Sequence, residues 1–149
     1  MAASSARAAS GMAAIYAMPG HLVRRAHQVS TALFAEECGT FGLTSVQFAA
    51  LYAVRAASEL DATRLAEQIA FDRATIGDVL DRLEAKGWVT RAGSRDDRRI
   101  KLIRLTPKGA ALLKQVEPSV ARVQDRLLAP LSAAERARFL SLLHKVSRV

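Results

Sequence analysis

The chain has 149 residues and a mass of 16.1 kDa, the size of one ordinary domain or of a compact subunit with a small subdomain. Half of the residues are apolar and 24% are charged, which supplies a buried core and excludes wholesale disorder. A formal charge of +8 and a pI near 10.5 favour polyanions, with nucleic acid or an anionic membrane surface first in line.

Several function classes drop out at once. No run approaches the ~18 consecutive apolar residues of a membrane span. The first 17 residues are rich in Ala and Ser, carry Arg7 and lack a continuous apolar block, so no cleaved signal peptide is expected. Cys38 is the single cysteine, which excludes an internal disulfide and fits a reducing cytoplasm. There is no internal repeat, no glycine-rich phosphate loop and no Cys/His cluster at metal spacing, so neither a metal nor another cofactor is expected. His21, His27 and His144 have no nucleophile or metal partner at motif spacing, and no carboxylate pair stands on an apolar background. No enzyme is expected.

In chain order, residues 1–17 read as a flexible leader that frays. Pro19 suits the first turn of a helix. Leu22, Ala26, Val29 and Leu33 recur at i, i+4, i+7 and i+11, which predicts an amphipathic helix to about Cys38, ended by Gly39. Thr44 with Gln47 is a capping box opening a second helix over 46–56. Asp61 caps a short third helix with Leu65 and Ile69 inward. Asp72 caps a fourth, whose apolar stripe is Ile76, Val79, Leu80 and Leu83, and Lys86-Gly87 stops it.

The period then changes to that of strands. Trp88-Val89-Thr90-Arg91 forms one, with Trp88 in the hairpin core. A polar turn over 92–98 follows. Ile100, Leu102 and Arg104 alternate with Lys101, Ile103 and Leu105 in the second strand. Thr106-Pro107 opens a long helix with the heptad seam Leu113, Val116, Val120, Val123 and Leu127, bent at Pro118. Ser132 with Glu135 caps a last helix to about Val146.

The fold class that follows is mainly α with a small β-hairpin. It is a winged helix-turn-helix whose N- and C-terminal helices form a dimerisation platform. The expected organisation is a leader over 1–17, a helical dimerisation region over 18–41 and 107–149, and a DNA-binding lobe over 42–106. Charge agrees with that division. Residues 1–60 carry +1, residues 61–106 carry +2 and residues 107–149 carry +5, yet residues 91–104 alone hold six basic groups against Asp96 and Asp97. A basic focus on a hairpin beside a helix-turn-helix selects duplex DNA over a membrane.

Three motifs carry a resemblance. Gly42-Leu43-Thr44-Ser45-Val46-Gln47-Phe48 resembles the opening of the second helix in the MarR family of transcriptional regulators. Asp81-Arg82-Leu83-Glu84-Ala85-Lys86-Gly87-Trp88-Val89 resembles its recognition-helix block. Asp97-Arg98-Arg99 followed by Leu105-Thr106-Pro107-Lys108-Gly109 resembles its wing signature. Each motif alone is weak, but three in order at the right spacing are strong, and together they span residues 20–146. Pro19-Gly20-His21-Leu22-Val23-Arg24-Arg25 and Phe71-Asp72-Arg73-Ala74-Thr75-Ile76-Gly77 are similar to a subgroup that controls the degradation of aromatic acids, hydroxynicotinate included.

With the apolar stripe of the fourth helix inward, the DNA-facing set is Arg73, Ala74, Thr75, Gly77, Asp78 and Arg82. Arg73 can donate in bidentate fashion to guanine, and Thr75 can meet a thymine methyl or a phosphate. Gly77 costs roughly 1 kcal/mol of helix propensity and serves a close approach, either to DNA or to a neighbouring helix. Asp78 either accepts from cytosine or holds an arginine. The resemblance implies that Arg99 enters the minor groove and that Asp97 orients it. A narrow A·T-rich groove rewards a guanidinium there, while Arg95 and Arg98 touch phosphates.

His21, Arg24, Arg25 and Gln28 share one face of the first helix. With Phe48 and Tyr52 they form a candidate site for a small aromatic carboxylate, arginine acting as the clamp. Relatives in the family hold such ligands between platform and DNA-binding lobe. The plain alternative is that this face makes intersubunit hydrogen bonds or meets water. Cys38 suggests a redox-sensing relative, but it follows Glu36 and Glu37 near a helix C-terminus, which raises a thiol pKa. That redox subgroup places its cysteine near the start of the first helix. A packed, inert thiol is expected. The reading is a homodimeric, cytoplasmic repressor released from a pseudo-palindromic operator by an anionic aromatic effector. Its alternatives are an effector-independent or architectural DNA-binding protein and a Cys38-based redox sensor.

Overall fold

The computed structural model describes residues 12–57, 59–95 and 99–149. Its elements are α1 (Pro19–Cys38), α2 (Ser45–Ala56), α3 (Ala62–Gln68), α4 (Ile76–Ala85), β1 (Val89–Gly93), β2 (Lys101–Leu105), α5 (Pro107–Leu127) and α6 (Ala133–Ser147). The mainly α class with one antiparallel hairpin is the observed one. The chain divides into two compact units, one reaching Leu33 and rejoining at Val123–Val149, the other spanning Phe34–Arg122.

The second unit carries the helix-turn-helix. Thr44 caps α2 by accepting from the Gln47 N–H at 3.2 Å, and the Gln47 side chain returns the bond to the Thr44 N–H at 3.1 Å. Both orphan amides of the helix start are thereby satisfied. Asp61 caps α3 through the Arg64 N–H at 3.0 Å. Leu51, Leu65, Leu80, Leu83, Val89 and Leu113 are fully buried and form the unit's core. The predicted stripe of α4 points into it, with Ile76, Leu80 and Leu83 buried and Val79 half-buried. Gly87, at φ +72°, reverses the chain into the hairpin in the left-handed conformation that favours glycine.

The fourth helix begins later than the sequence predicts. Asp72 opens a turn, not the helix: its carbonyl accepts from the Thr75 and Ile76 N–H groups, and its carboxylate accepts from the Thr75 hydroxyl at 3.2 Å. Arg73, Ala74 and Thr75 therefore stand in the connection ahead of α4.

In the hairpin Val89 pairs with Leu105, Arg91 with Ile103 and Gly93 with Lys101. Leu102 and Ile103 are both buried although they point to opposite faces, because Leu60 adds a bridge beside Ile103 with an N–H···O bond of 2.8 Å. Trp88 lies in the core, as predicted. Thr106 pins the hairpin base, its hydroxyl donating to the Gly87 carbonyl at 2.7 Å and accepting from the Gly109 N–H at 3.0 Å. α5 runs on through Pro118 as one helix.

The first unit holds most of α1, the end of α5 and all of α6. α6 starts at the predicted capping box of Ser132 and Glu135. It buries no residue, and Phe139, Leu140, Leu142, Leu143 and Val146 are exposed. The α1 stripe behaves alike: Leu22, Ala26 and Val29 are exposed, and the buried residues of α1 are Phe34 and Cys38 in the second unit. Between α1 and the α5–α6 corner lies an apolar cavity of 570 Å³, lined by Leu22, Val23, Ala26, Leu127, Leu131, Phe139 and Leu143, with His27 and Ser30 among the few polar neighbours. Residues 12–16, read as part of the leader, form a helical segment.

Candidate functional site

The outer side of α4 follows from what its inner side buries. With Ile76, Leu80 and Leu83 inward, Gly77, Asp78 and Arg82 are exposed, and so are Arg73, Ala74 and Thr75 in the preceding turn. A Cβ built on Gly77 would meet nothing within 4 Å. Close packing against a neighbouring helix is therefore not what Gly77 serves, and its place is on the open face. Asp78 and Arg82 make no ion pair among the described residues. Arg73 pairs with Glu67 of α3.

The hairpin displays Arg95 and Arg99 on exposed positions. Asp97 and Arg98 lie outside the described residues. Arg91, at the start of the basic run, is held within the protein: its guanidinium is bound to Glu84 and Asp81 of α4 and is only 25% exposed. Sequence reasoning counted it in the basic focus. The signal for its partners is the spacing of Asp81 and Glu84 at i, i+3 on the recognition helix.

The helix-to-hairpin junction explains the Thr106, Lys108 and Gly109 positions of the wing motif. Thr106 caps α5, Lys108 donates to the Lys86 carbonyl at 2.8 Å, and Lys86 donates to the Gly42 carbonyl at 2.5 Å while lying 4.5 Å from the Trp88 ring centre. A Cβ on Gly109 would fall 2.2 Å from the Trp88 carbonyl oxygen. Only glycine lets α5 pass this close to the hairpin.

The candidate effector residues fall in both units. In the first, the His21 ring packs 5.6 Å from that of Tyr16, and the Arg25 guanidinium lies 5.3 Å from the same Tyr16 ring. The His21 Nε2 is buried with no hydrogen-bond partner among the described residues. Arg24 and Gln28 are exposed. Tyr16 was missed because it lies in the stretch read as leader; its one signal is a lone aromatic residue one and a half turns before His21. In the second unit Phe48 packs between Phe34 and Tyr52, at 5.9 and 5.8 Å. Tyr52 carries Arg55 at 4.6 Å from its ring centre, and Arg55 pairs with Glu117 at 2.6 Å.

Cys38 is fully buried. Burial pushes its thiol pKa up, adjacent Glu37 adds to the rise, and Arg122 opposes it. The thiol stays protonated and shielded, the opposite of what a reactive cysteine needs. No group of three or more His, Cys, Asp or Glu suited to a metal exists among the described residues, and no described helix is long and apolar enough to cross a membrane.

The MarR family model matches residues 43–101, from the helix-turn-helix through β1 to the first residue of β2. The transcriptional repressor NicR of Pseudomonas putida is 36% identical over 127 residues, covering 85% of this chain and 80% of its own length. The chain belongs to the MarR family. Among solved structures, Bordetella bronchiseptica BpsR, whose DNA binding is regulated by 6-hydroxynicotinic acid, superposes with a TM-score of 0.84 at 32% identity, covering 89% of this chain and 95% of its own. A variant of E. coli MarR complexed with operator DNA superposes with a TM-score of 0.80 at 32% identity, covering 85% and 91%. The winged helix-turn-helix architecture of this MarR-type regulator is thus shared along nearly the whole chain, and these relatives are regulators of transcription.

Proposed function

We propose that this MarR-type regulator is a homodimeric repressor that reads a pseudo-palindromic operator through α4 and the hairpin, and that a small aromatic carboxylate releases it. The observation that carries the DNA reading is the orientation of α4. Ile76, Leu80 and Leu83 of its apolar stripe are spent on the core, so the side facing away is polar, unobstructed at Gly77 and flanked by a hairpin bearing Arg95 and Arg99. Two such faces about 10 bp apart would enter successive major grooves. Arg73, Ala74, Thr75, Gly77, Asp78 and Arg82 are assigned to bases and nearby phosphates, Arg99 with Asp97 to the minor groove, and Arg95 and Arg98 to phosphates. Residues 42–106 form the DNA-binding lobe in this reading, and 18–41 with 107–149 the dimerisation region.

The effector reading rests on His21, whose Nε2, without a partner among the described residues, sits beside the Arg25–Tyr16 pair. A buried polar nitrogen without a partner is costly. An aromatic carboxylate would supply an acceptor, a ring for Tyr16 and a charge for Arg25. The likeness to BpsR points to hydroxylated pyridine or benzene carboxylates.

Fluorescence anisotropy on a duplex from the protein's own promoter region, with a scrambled duplex of equal length, tests both halves. The expected result is tight, salt-dependent binding to the first duplex. Adding 6-hydroxynicotinic acid or benzoate should weaken it, and His21→Ala should abolish the response while leaving DNA affinity intact. Equal affinity for both duplexes would end the operator reading. Specific binding that no aromatic acid alters, with no thermal shift from either acid, would leave an effector-independent DNA-binding protein.

A further inference from the structure

We propose that Arg91 is a positioning residue for operator recognition, holding the hairpin at a fixed angle to α4 through Glu84 and Asp81. The inference rests on the proposed DNA reading, in which α4 and the hairpin touch DNA together. A two-stranded hairpin of five-residue strands is marginal on its own. Buried Val89 and Ile103 hold one of its faces, buried Leu102 the other, and Thr106 its base.

The link to the recognition helix itself is Arg91. Its Nε donates to Glu84 Oε2 at 3.0 Å and its Nη2 to the same oxygen at 2.5 Å. The Arg91 backbone N–H donates to the other Glu84 oxygen at 3.2 Å, and Nη2 also reaches Asp81 at 2.6 Å. One residue of β1 thus grips two carboxylates one helical turn apart on α4. The planar guanidinium fixes direction as well as distance, which an ammonium would not.

Two consequences follow for DNA. A phosphate contact requires an exposed cation, and the Arg91 side chain is 25% exposed against 63% for Arg73. Its Nε and Nη2 donors are already committed inside the protein. Arg91 also offsets one of the two negative charges that Asp81 and Glu84 present on the helix that approaches the phosphates.

The test uses the full chain, the promoter and scrambled duplexes, and hydrogen exchange of the free protein. Arg91→Ala should lower affinity for the specific duplex at least about tenfold and for the scrambled duplex by about threefold or less, leaving the salt slope nearly unchanged. Amide exchange across β1 and β2 should accelerate in the free protein. The double variant R91E/E84R keeps the net charge and reverses the pair, and it should return both specific affinity and exchange protection most of the way. Equal losses on both duplexes with a salt slope smaller by about one would make Arg91 a phosphate contact and overturn the proposal. So would unchanged exchange in Arg91→Ala, or a charge reversal that rescues neither readout. A wild-type protein that does not distinguish the duplexes defeats the operator reading instead, while the exchange data still decide whether the tether exists.

Discussion

Arg73 stands on the proposed DNA face with its charge committed to Glu67, so any contact with guanine must displace that carboxylate. Both side chains are more than half exposed, and a surface pair of this kind is worth about 1 kcal/mol or less. The exchange is therefore cheap, and Glu67 acts as a mild competitor for DNA. Glu67→Gln is expected to raise affinity for the promoter duplex about threefold at low salt, an advantage that shrinks as salt rises. Lower affinity would mean that Glu67 presents Arg73 instead of restraining it. Arg99→Ala should weaken operator binding about tenfold or more at matched salt while the protein remains a folded dimer. Unchanged affinity would remove Arg99 from the minor groove.

At the scale of elements, stability concentrates where helices begin. Gly109 is the sharpest case, because α5 starts with its third residue against the Trp88 carbonyl. Gly109→Ala forces backbone against backbone and should cost about 2–3 kcal/mol, read as a lowered urea midpoint. An unaltered midpoint would mean that the junction yields freely. The α6 capping box is milder. Ser132→Ala should cost about 1 kcal/mol. The Ser132 hydroxyl and N–H both bond Glu135 and hold its carboxyl below the ordinary 4.5. A carboxylate depressed in the folded state stabilises fully above its unfolded value and loses that contribution as pH falls through the folded one. Glu135→Gln should therefore lower stability near neutral pH and converge with wild type in acid below that range; a constant difference at all pH values would contradict it.

The caps at Thr44, Asp61 and Ser132 were legible in the sequence, because a cap and its partner lie three residues apart. The heptad seam and the α4 stripe were legible for the same reason. Asp72 misled, since an Asp bonding a nearby Thr opens a turn as readily as a helix. The reason for Gly109 was not legible, and the Asp81/Glu84 spacing did not by itself name Arg91 as their partner, because each depends on an element elsewhere in the chain. Tyr16 and the DNA face show the same divide: side-chain type was readable, but neighbourhood was not.

The whole molecule raises a question that one chain does not answer by itself. A fifteen-residue helix with no buried side chain has too little to hold it in water, because isolated helices of that length are marginal and draw their stability from a packed face. α6 nevertheless exposes Phe139, Leu140, Leu142, Leu143 and Val146, and α1 exposes Leu22, Val23 and Val29 in the same unit. Leu22, Val23, Phe139 and Leu143 among them also line the cavity. An apolar surface of this extent marks an interface, and a two-fold partner would bring an identical surface to it. The proposed operator reading needs that partner as well, since one α4 reads one half-site. Leu143 is half-covered at the cavity rim, so Leu143→Glu places a charge where the second copy would pack without removing a core residue of the DNA-binding unit. Sedimentation should give about twice 16.1 kDa for wild type and a concentration-dependent shift toward monomer for the variant. Operator affinity should fall about a hundredfold or more in parallel, while α2 to α4 keep their hydrogen-exchange protection. A monomeric wild type that still binds its operator tightly, or a Leu143→Glu dimer with full affinity, would place the dimer contact elsewhere and leave α6 with a different partner.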